Sequence, residues 1–229
     1  MPAGAATPPW SVVELAGSAG ELHHRDRVNA PRTVTLCRVS RPALVLGSTQ
    51  PDGDVDHSRA ASSGLEVVRR RSGGGAVLVE PGALAWVEVS VSSDDPLWVG
   101  DVGRAFWWLG QAWADALTAL GVDGADVHRG PAVTTAWSAK VCFAGTGAGE
   151  VTVQGRKVVG MAQRRTRAGA AFQCAALLRW DAARLLEVLD LSETERAEGA
   201  VTLGTAAAGL GPARRVVDIE RSLIEHLPS

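Results

Sequence analysis

Short apolar runs of strand length fill the first ninety residues and return after residue 140, with one long helical stretch between them. That order limits the possible folds more than any other feature of the chain. Thr33 to Val39 and Ala43 to Leu46 lie either side of Ser40-Arg41-Pro42; Glu66 to Arg70, Ala76 to Val79 and Ala83 to Val91 follow, joined by Ser72-Gly73-Gly74-Gly75 and Pro81-Gly82. Apolar runs closed by Gly, Pro and Ser predict strands. Ser11 to Leu15 predicts an earlier strand, and Asp54 to Ser63 a helix stopped by Gly64. Between Asp101 and Leu120 the period changes: Val102, Ala105, Phe106, Leu109, Trp113, Ala116, Leu117 and Leu120 fall at helical spacing, so an amphipathic core helix is expected, ending at Gly121. Trp107, Trp108 and Trp113 are read as its packing on a sheet rather than as a cofactor-stacking box.

Beyond that helix, Val141 to Phe143, Glu150 to Val153, Lys157 to Gln163 and Ala170 to Leu178 predict strands, the second and third forming a hairpin about Gln154-Gly155. Asp181 is placed to cap a helix running to Leu189, Ser192 and Glu195 form a capping box for a further short one, and Val216 to Leu227 is a last helix. Strands interrupted by a few helices, without βα alternation, predict an α+β fold: a mixed, largely antiparallel sheet with flanking helices. The Pro/Ala/Gly-rich residues 1–9 predict a flexible tail, and 10–229 a single domain.

Composition narrows the functional classes. At net charge -2 the chain lacks the basic field that non-specific nucleic-acid or anionic-membrane binding requires, so any anion site is local. Cys37, Cys142 and Cys174 are an odd count at wide spacing, which argues against a disulfide framework or structural zinc, and no metal site is expected. No apolar run of about 18 residues is uninterrupted, and the N-terminus does not read as a signal peptide; a cytoplasmic protein is expected. Only Lys140 and Lys157 among the 23 cationic residues are lysine, which singles them out for what a compact ammonium does and a planar guanidinium does not.

Two stretches carry chemistry. In Arg69-Arg70-Arg71-Ser72-Gly73-Gly74-Gly75-Ala76-Val77 the glycines allow backbone N–H groups to converge on an anion, and the arginines supply countercharge. A hairpin loop beside a solvated charge run is the structural alternative. It is neither a P-loop nor a dinucleotide fingerprint. In Gly155-Arg156-Lys157-Val158-Val159-Gly160-Met161-Ala162-Gln163-Arg164-Arg165 a lysine opens a strand, and Gly160 leaves room where a ligand can approach. Cys142 stands between Val141 and Phe143, a setting that suits a buried core thiol as well as a nucleophile. Cys37 and Cys174 read as core, and all five histidines are assigned structural roles.

Together the two stretches resemble the catalytic domain of lipoate-protein ligases and their octanoyltransferase relatives, which share a fold with biotin-protein ligases. The resemblance covers roughly residues 10 to 190 and takes in the paired strands ending at Gly47-Ser48-Thr49-Gln50. It implies that Arg70, Ser72, Gly73, Gly74, Gly75, Ala76 and Val77 line the acyl chain and acyl-adenylate phosphate, that Lys157 contacts the carboxylate or phosphate, and that Gly160, Ala162 and Gln163 form the opposite wall. A ligase of this kind joins lipoate or octanoate to a lysine of a lipoyl domain through acyl-AMP, using ATP and Mg. Its partners are the glycine-cleavage H protein or 2-oxoacid dehydrogenase acyltransferase subunits, with a separate accessory-domain chain as a further partner.

The chain departs from the ligase pattern in several places. Val79-Glu80 and Pro81-Gly82-Ala83 stand where ligases carry His-Asp and Leu-Gly-Asn, Phe172-Gln173-Cys174-Ala175-Ala176-Leu177 replaces His-His-Gly-Thr-Leu-Leu, and the Asn-Asp-Ile segment is missing. Cys142-Phe143, Glu150 and Gly155-Arg156-Lys157 resemble instead the segment of ATP-independent octanoyltransferases in which that cysteine takes the acyl group from acyl carrier protein as a thioester. The ligase is the leading expectation and the transferase its alternative. A non-catalytic acyl- or lipoyl-domain-binding module is the third.

Overall fold

The computed structural model describes residues 9–25 and 32–229; the expected tail, all but its last residue, lies outside them. In chain order the elements are β1 (Ser11–Gly17), α1 (Ala19–His24), β2 (Thr33–Val39), β3 (Ala43–Leu46), α2 (His57–Ser62), β4 (Glu66–Arg69), β5 (Val77–Val79), β6 (Leu84–Ser92), α3 (Trp107–Ala119), β7 (Ala125–Val127), β8 (Val151–Val153), β9 (Arg156–Thr166), β10 (Gly169–Leu177), α4 (Ala182–Glu187), α5 (Glu193–Ala206) and α6 (Val216–His226). A seven-stranded sheet runs β1-β2-β6-β10-β9-β8-β7 and a three-stranded sheet β4-β3-β5. Among the described strands only β1 with β2 and β3 with β4 pair in parallel, so the α+β, largely antiparallel expectation holds.

Burial explains the layering. Ala85, Val87 and Val89 of β6 face one way and pack with Leu109, Trp113 and Leu117 of α3 and Ile219 and Leu223 of α6. Leu84 and Trp86 face the other way, onto Ala43, Val45 and Val79 of the small sheet. Buried on both sides, this strand shows the near-continuous apolar run of a central strand rather than a clean alternation. The small sheet turns its second face, with Leu44 and Leu46, towards Leu185, Leu186 and Leu203 of α4 and α5. A space thus remains between two sheets, each backed by helices.

Local signals account for most element ends. The Asp181 side chain accepts from the Arg184 N–H at the start of α4, and Ser192 and Glu195 make both bonds of the capping box that opens α5. Three expectations need correction. The helix expected from Asp54 is a turn of 3-10 helix at Asp52–Asp54 followed by α2, whose N-cap is Asp56. Cys142 lies not in a strand but in a single 3-10 turn, Cys142–Ala144, because the chain leaves its bridge with Ala76 at Val141 and bends. The short helix after Ser192 runs for 14 residues. Two small elements, α1 and β7, were not expected at all.

Candidate active site

The space between the sheets is a cavity of about 290 Å³. Val45, Val77 and Val79 line it from the small sheet and Leu84, Trp86, Ala175, Gly160 and Ala162 from the large one. These walls follow from register: Trp86 pairs with Ala175 and Ala175 with Gly160, while Gln173 pairs with Ala162, so neighbours across the sheet point to the same side. The lining is apolar except where the glycine loop, Cys142, Lys157 and Glu150 meet it, at His23 and Gln173, and at the hydroxyl residues Thr134, Ser138 and Thr146.

The glycine loop is built by chain crossings. A Cβ on Gly47 would stand 1.8 Å from the Gly74 carbonyl oxygen, and one on Gly75 2.4 Å from the Val141 nitrogen. Arg70 is buried and turns into the loop, donating to the carbonyls of Val45 at 3.2 Å, Gly73 at 2.7 Å and Gly75 at 2.9 Å. Its guanidinium fixes the loop's shape rather than standing free for an anion. The Ser72 hydroxyl is buried with no protein partner, on a residue of the cavity wall. Gly47→Ala is expected to destabilise the fold by about 3 kcal/mol, because the obstacle is backbone and cannot give way. Gly73→Ala, with nothing within 4 Å of the added carbon, is expected to stay within about 0.5 kcal/mol. Paired urea titrations check both, and equal midpoints would contradict the crossing.

Cys142 is half-buried in the cavity lining, its Sγ 3.8 Å from the point where a Cβ on Gly74 would stand. The thiol therefore sits against the glycine loop. Cys37 and Cys174 are buried, as expected. Cys174 borders the cavity but belongs to the helix-side core, and loss of solvation pushes its thiol up to about 12. At pH 8 its thiolate fraction is on the order of one in 10⁴. Iodoacetamide at pH 8 is expected to place its first label on Cys142 and none on Cys174, read by peptide mass spectrometry; early labelling of Cys174 would contradict its burial.

Lys157, 2% exposed, reaches back over the loop that carries Cys142. Its Nζ donates to the carbonyl oxygens of Cys142 at 3.0 Å and Gly145 at 3.2 Å and pairs with Glu150 Oε2 at 2.7 Å. All three N–H groups are thereby engaged. The ammonium lies 4.7 Å from the centre of the Phe143 ring. A Cβ on Gly160 would meet Phe143 Cζ at 3.0 Å and Lys157 Cε at 3.2 Å, so that glycine makes room for these two side chains as well as lining the cavity.

Of the residues singled out from sequence, Arg70, Ser72, Gly73, Gly74, Val77, Cys142, Lys157, Gly160 and Ala162 meet at this one cavity. Gly75, Ala76 and Gln163 are not in its lining. Gly75 is packed on the Val141 backbone, and Ala76 is fully buried in the core behind the small sheet. Gln163 pairs with Phe172, whose ring packs on Phe106 and Trp108, so its side chain shares the helix-side face. Conversely, His23, assigned only a structural role from sequence, stands in the cavity wall with its ring 4.4 Å from that of Trp86. Glu150 had no role beyond its place in a motif. No sequence signal marks His23, because only the packing of α1 against β1, β2 and β4 brings it there.

Comparison with known proteins adds to this geometry. The model of the lipoyl protein ligase A/B catalytic domain matches residues 19–220. The octanoyltransferase LipM of Carboxydothermus hydrogenoformans is 32% identical over 160 residues, 69% of this chain and 58% of that protein. The LipM of Moorella thermoacetica is 33% identical over 147 residues, 63% and 52% respectively. The chain thus spans less than two thirds of the length of these curated relatives. Among solved structures, a bi-partite lipoate protein ligase from Thermoplasma acidophilum, described with its E2 lipoyl domain, superposes with a TM-score of 0.73 at 19% identity, over 95% of this chain and 82% of that one. A lipoate-protein ligase A bound with ATP gives 0.60 at 18% identity, covering 95% of both chains. Among the described residues no helix is long and apolar enough to cross a membrane. The family model takes in every strand but β1 and all the residues that line the cavity, and the chain belongs to the lipoyl protein ligase A/B catalytic-domain family.

Proposed function

We propose that this chain transfers a medium-chain acyl group, octanoyl first among them, from a carrier-protein thioester to a lysine of a lipoyl domain through a thioester on Cys142. The observation that carries the reading is the place of Cys142: half-buried, in the lining of an apolar cavity and against the glycine loop. The relatives named octanoyltransferase favour the same route. The acyl-adenylate route has less support, since Lys157 and Arg70, which the resemblance assigned to ligand or phosphate contact, are engaged with protein carbonyls and Glu150. The proposal treats 10–229 as one catalytic domain.

In the first half-reaction the Cys142 thiolate attacks the thioester carbonyl, a new C–S bond forms, and the carrier leaves as a thiol that recovers the proton Cys142 gave up. In the second, the acceptor lysine, as a free amine, attacks the Cys142 thioester. The amide forms, the C–S bond breaks, and the amine's proton returns to the Cys142 sulfur. The acyl chain lies between Val45, Val79, Leu84 and Trp86. The Lys157 ammonium holds the Cys142 carbonyl. Intact-mass measurement tests the route. Octanoyl carrier protein without ATP is expected to add one octanoyl group to the chain, and apo lipoyl domain is expected to remove it and gain an amide. Transfer that requires free octanoate and ATP, with no adduct on the chain, would return the acyl-adenylate route to first place.

A further inference from the structure

Cys142 is followed by a stretch that glycine makes intrinsically loose: Gly145, Gly147 and Gly149 stand between it and β8. Glycine raises the entropy lost when such a segment is fixed, so holding a nucleophile on it requires contacts from outside the loop. Those contacts come from two side chains. Lys157, on β9, takes the carbonyls of residues 142 and 145. Glu150, at the loop's end, accepts from the Gly147 N–H through Oε2 at 2.6 Å and from the Met161 N–H of β9 through Oε1 at 2.9 Å, while Oε2 also meets the Lys157 ammonium. Both side chains are nearly fully buried.

The pair therefore closes a circuit. One carboxylate ties the ammonium, the middle of the loop and the neighbouring strand together, and the ammonium ties the residue that carries the thiol. Phe143 closes one side of the ammonium, and Gly160 below it carries no side chain to push it away. We propose that Glu150 is a positioning residue for acyl transfer, acting through Lys157 to fix the direction in which Cys142 meets the thioester. The assignment rests on the Cys142 route above. Glu150 makes no bond to the acyl group in this role; its oxygens are occupied by two backbone amides and the lysine.

A role exerted through another residue makes a specific demand: in a double-mutant cycle the two effects do not multiply. The variants are Glu150→Gln, Lys157→Met and the two combined, and the readouts are kcat and KM for octanoyl carrier protein with apo lipoyl domain as acceptor. Glu150→Gln keeps the shape and removes the charge. It is expected to lower kcat by about 10- to 100-fold with KM for the donor within about twofold. Lys157→Met is expected to lower kcat at least as far, and the double variant to equal Lys157→Met. The double variant also guards against misfolding, since removing both buried charges leaves neither unpaired. Wild-type kcat in Glu150→Gln, a loss in KM alone, or losses that multiply in the double variant would overturn the role. A wild-type chain that turns over without forming octanoyl-Cys142 would overturn the transfer route itself, and this assignment with it.

Discussion

Cys142→Ser is expected to abolish acyl transfer, with a loss on the order of 10³-fold or more in kcat and no octanoyl adduct by mass, while the fold and thermal midpoint stay close to wild type. Sulfur and oxygen differ little in size, and Cys142 is only half-buried, so the change tests chemistry rather than packing. The serine hydroxyl needs a base to activate it. The charged side chains that hold its loop, Lys157 and Glu150, are tied to each other and to backbone, so neither stands free to take its proton. Cys174→Ser and Cys37→Ser serve as controls. Both thiols are buried outside the proposed chemistry, so these variants are expected to keep the adduct at Cys142 even if they lose some stability. Full turnover in Cys142→Ser would end the thioester route, and an ATP requirement in that variant would identify the adenylate route in its place.

Lys157→Ala has the second largest expected effect, and it acts on two quantities together. Activity is expected to fall by about 10²- to 10³-fold, because a preorganised ammonium beside the nucleophile is lost and the Cys142 carbonyl is released. Stability is expected to fall as well, by about 3–5 kcal/mol, because Glu150 would remain as an uncompensated charge in a buried site. Lys157→Arg is not expected to rescue activity. The pocket offers three acceptors to a compact ammonium between Phe143 and Gly160, and a planar guanidinium with five donors fits neither the space nor the count. Calorimetry and single-turnover kinetics on the same preparations separate the two effects. A folded Lys157→Ala chain with near-normal turnover would remove Lys157 from the site.

What the sequence discloses and what it conceals divide along physical lines. The strand runs of β2, β3, β6 and β10 were legible because burial writes itself into consecutive apolar residues, and the Ser192 capping box because it is local. The length of α5 was not legible: only Gly199 and Leu203 are buried in it, so it shows almost no apolar stripe. Gly199 is there for Trp137, whose Cη2 lies 2.7 Å from where its Cβ would be, a contact set by tertiary packing. The capping box of α1, Ser18 with Glu21, stood in the sequence, but a six-residue helix offers no period to accompany it. At the site, the glycine loop and Lys157 were legible as motifs. The inward turn of Arg70, the clamp by Glu150 and the displacement of Gln163 to the helix side depend on which face each side chain takes once the strands are paired.

Strand β10 places Gln173 and Ala175 in the cavity wall while Phe172, Cys174 and Ala176 sit in the helix-side core. On the proposed route, acyl-chain selectivity and thermodynamic robustness are thus encoded at alternate positions of one segment. Even-numbered positions there tolerate little change in volume without loosening the contact with α3. If the proposed transfer holds, residues 173 and 175, which face the cavity, are the place to retune the length and shape of the acyl chain accepted without rebuilding the scaffold.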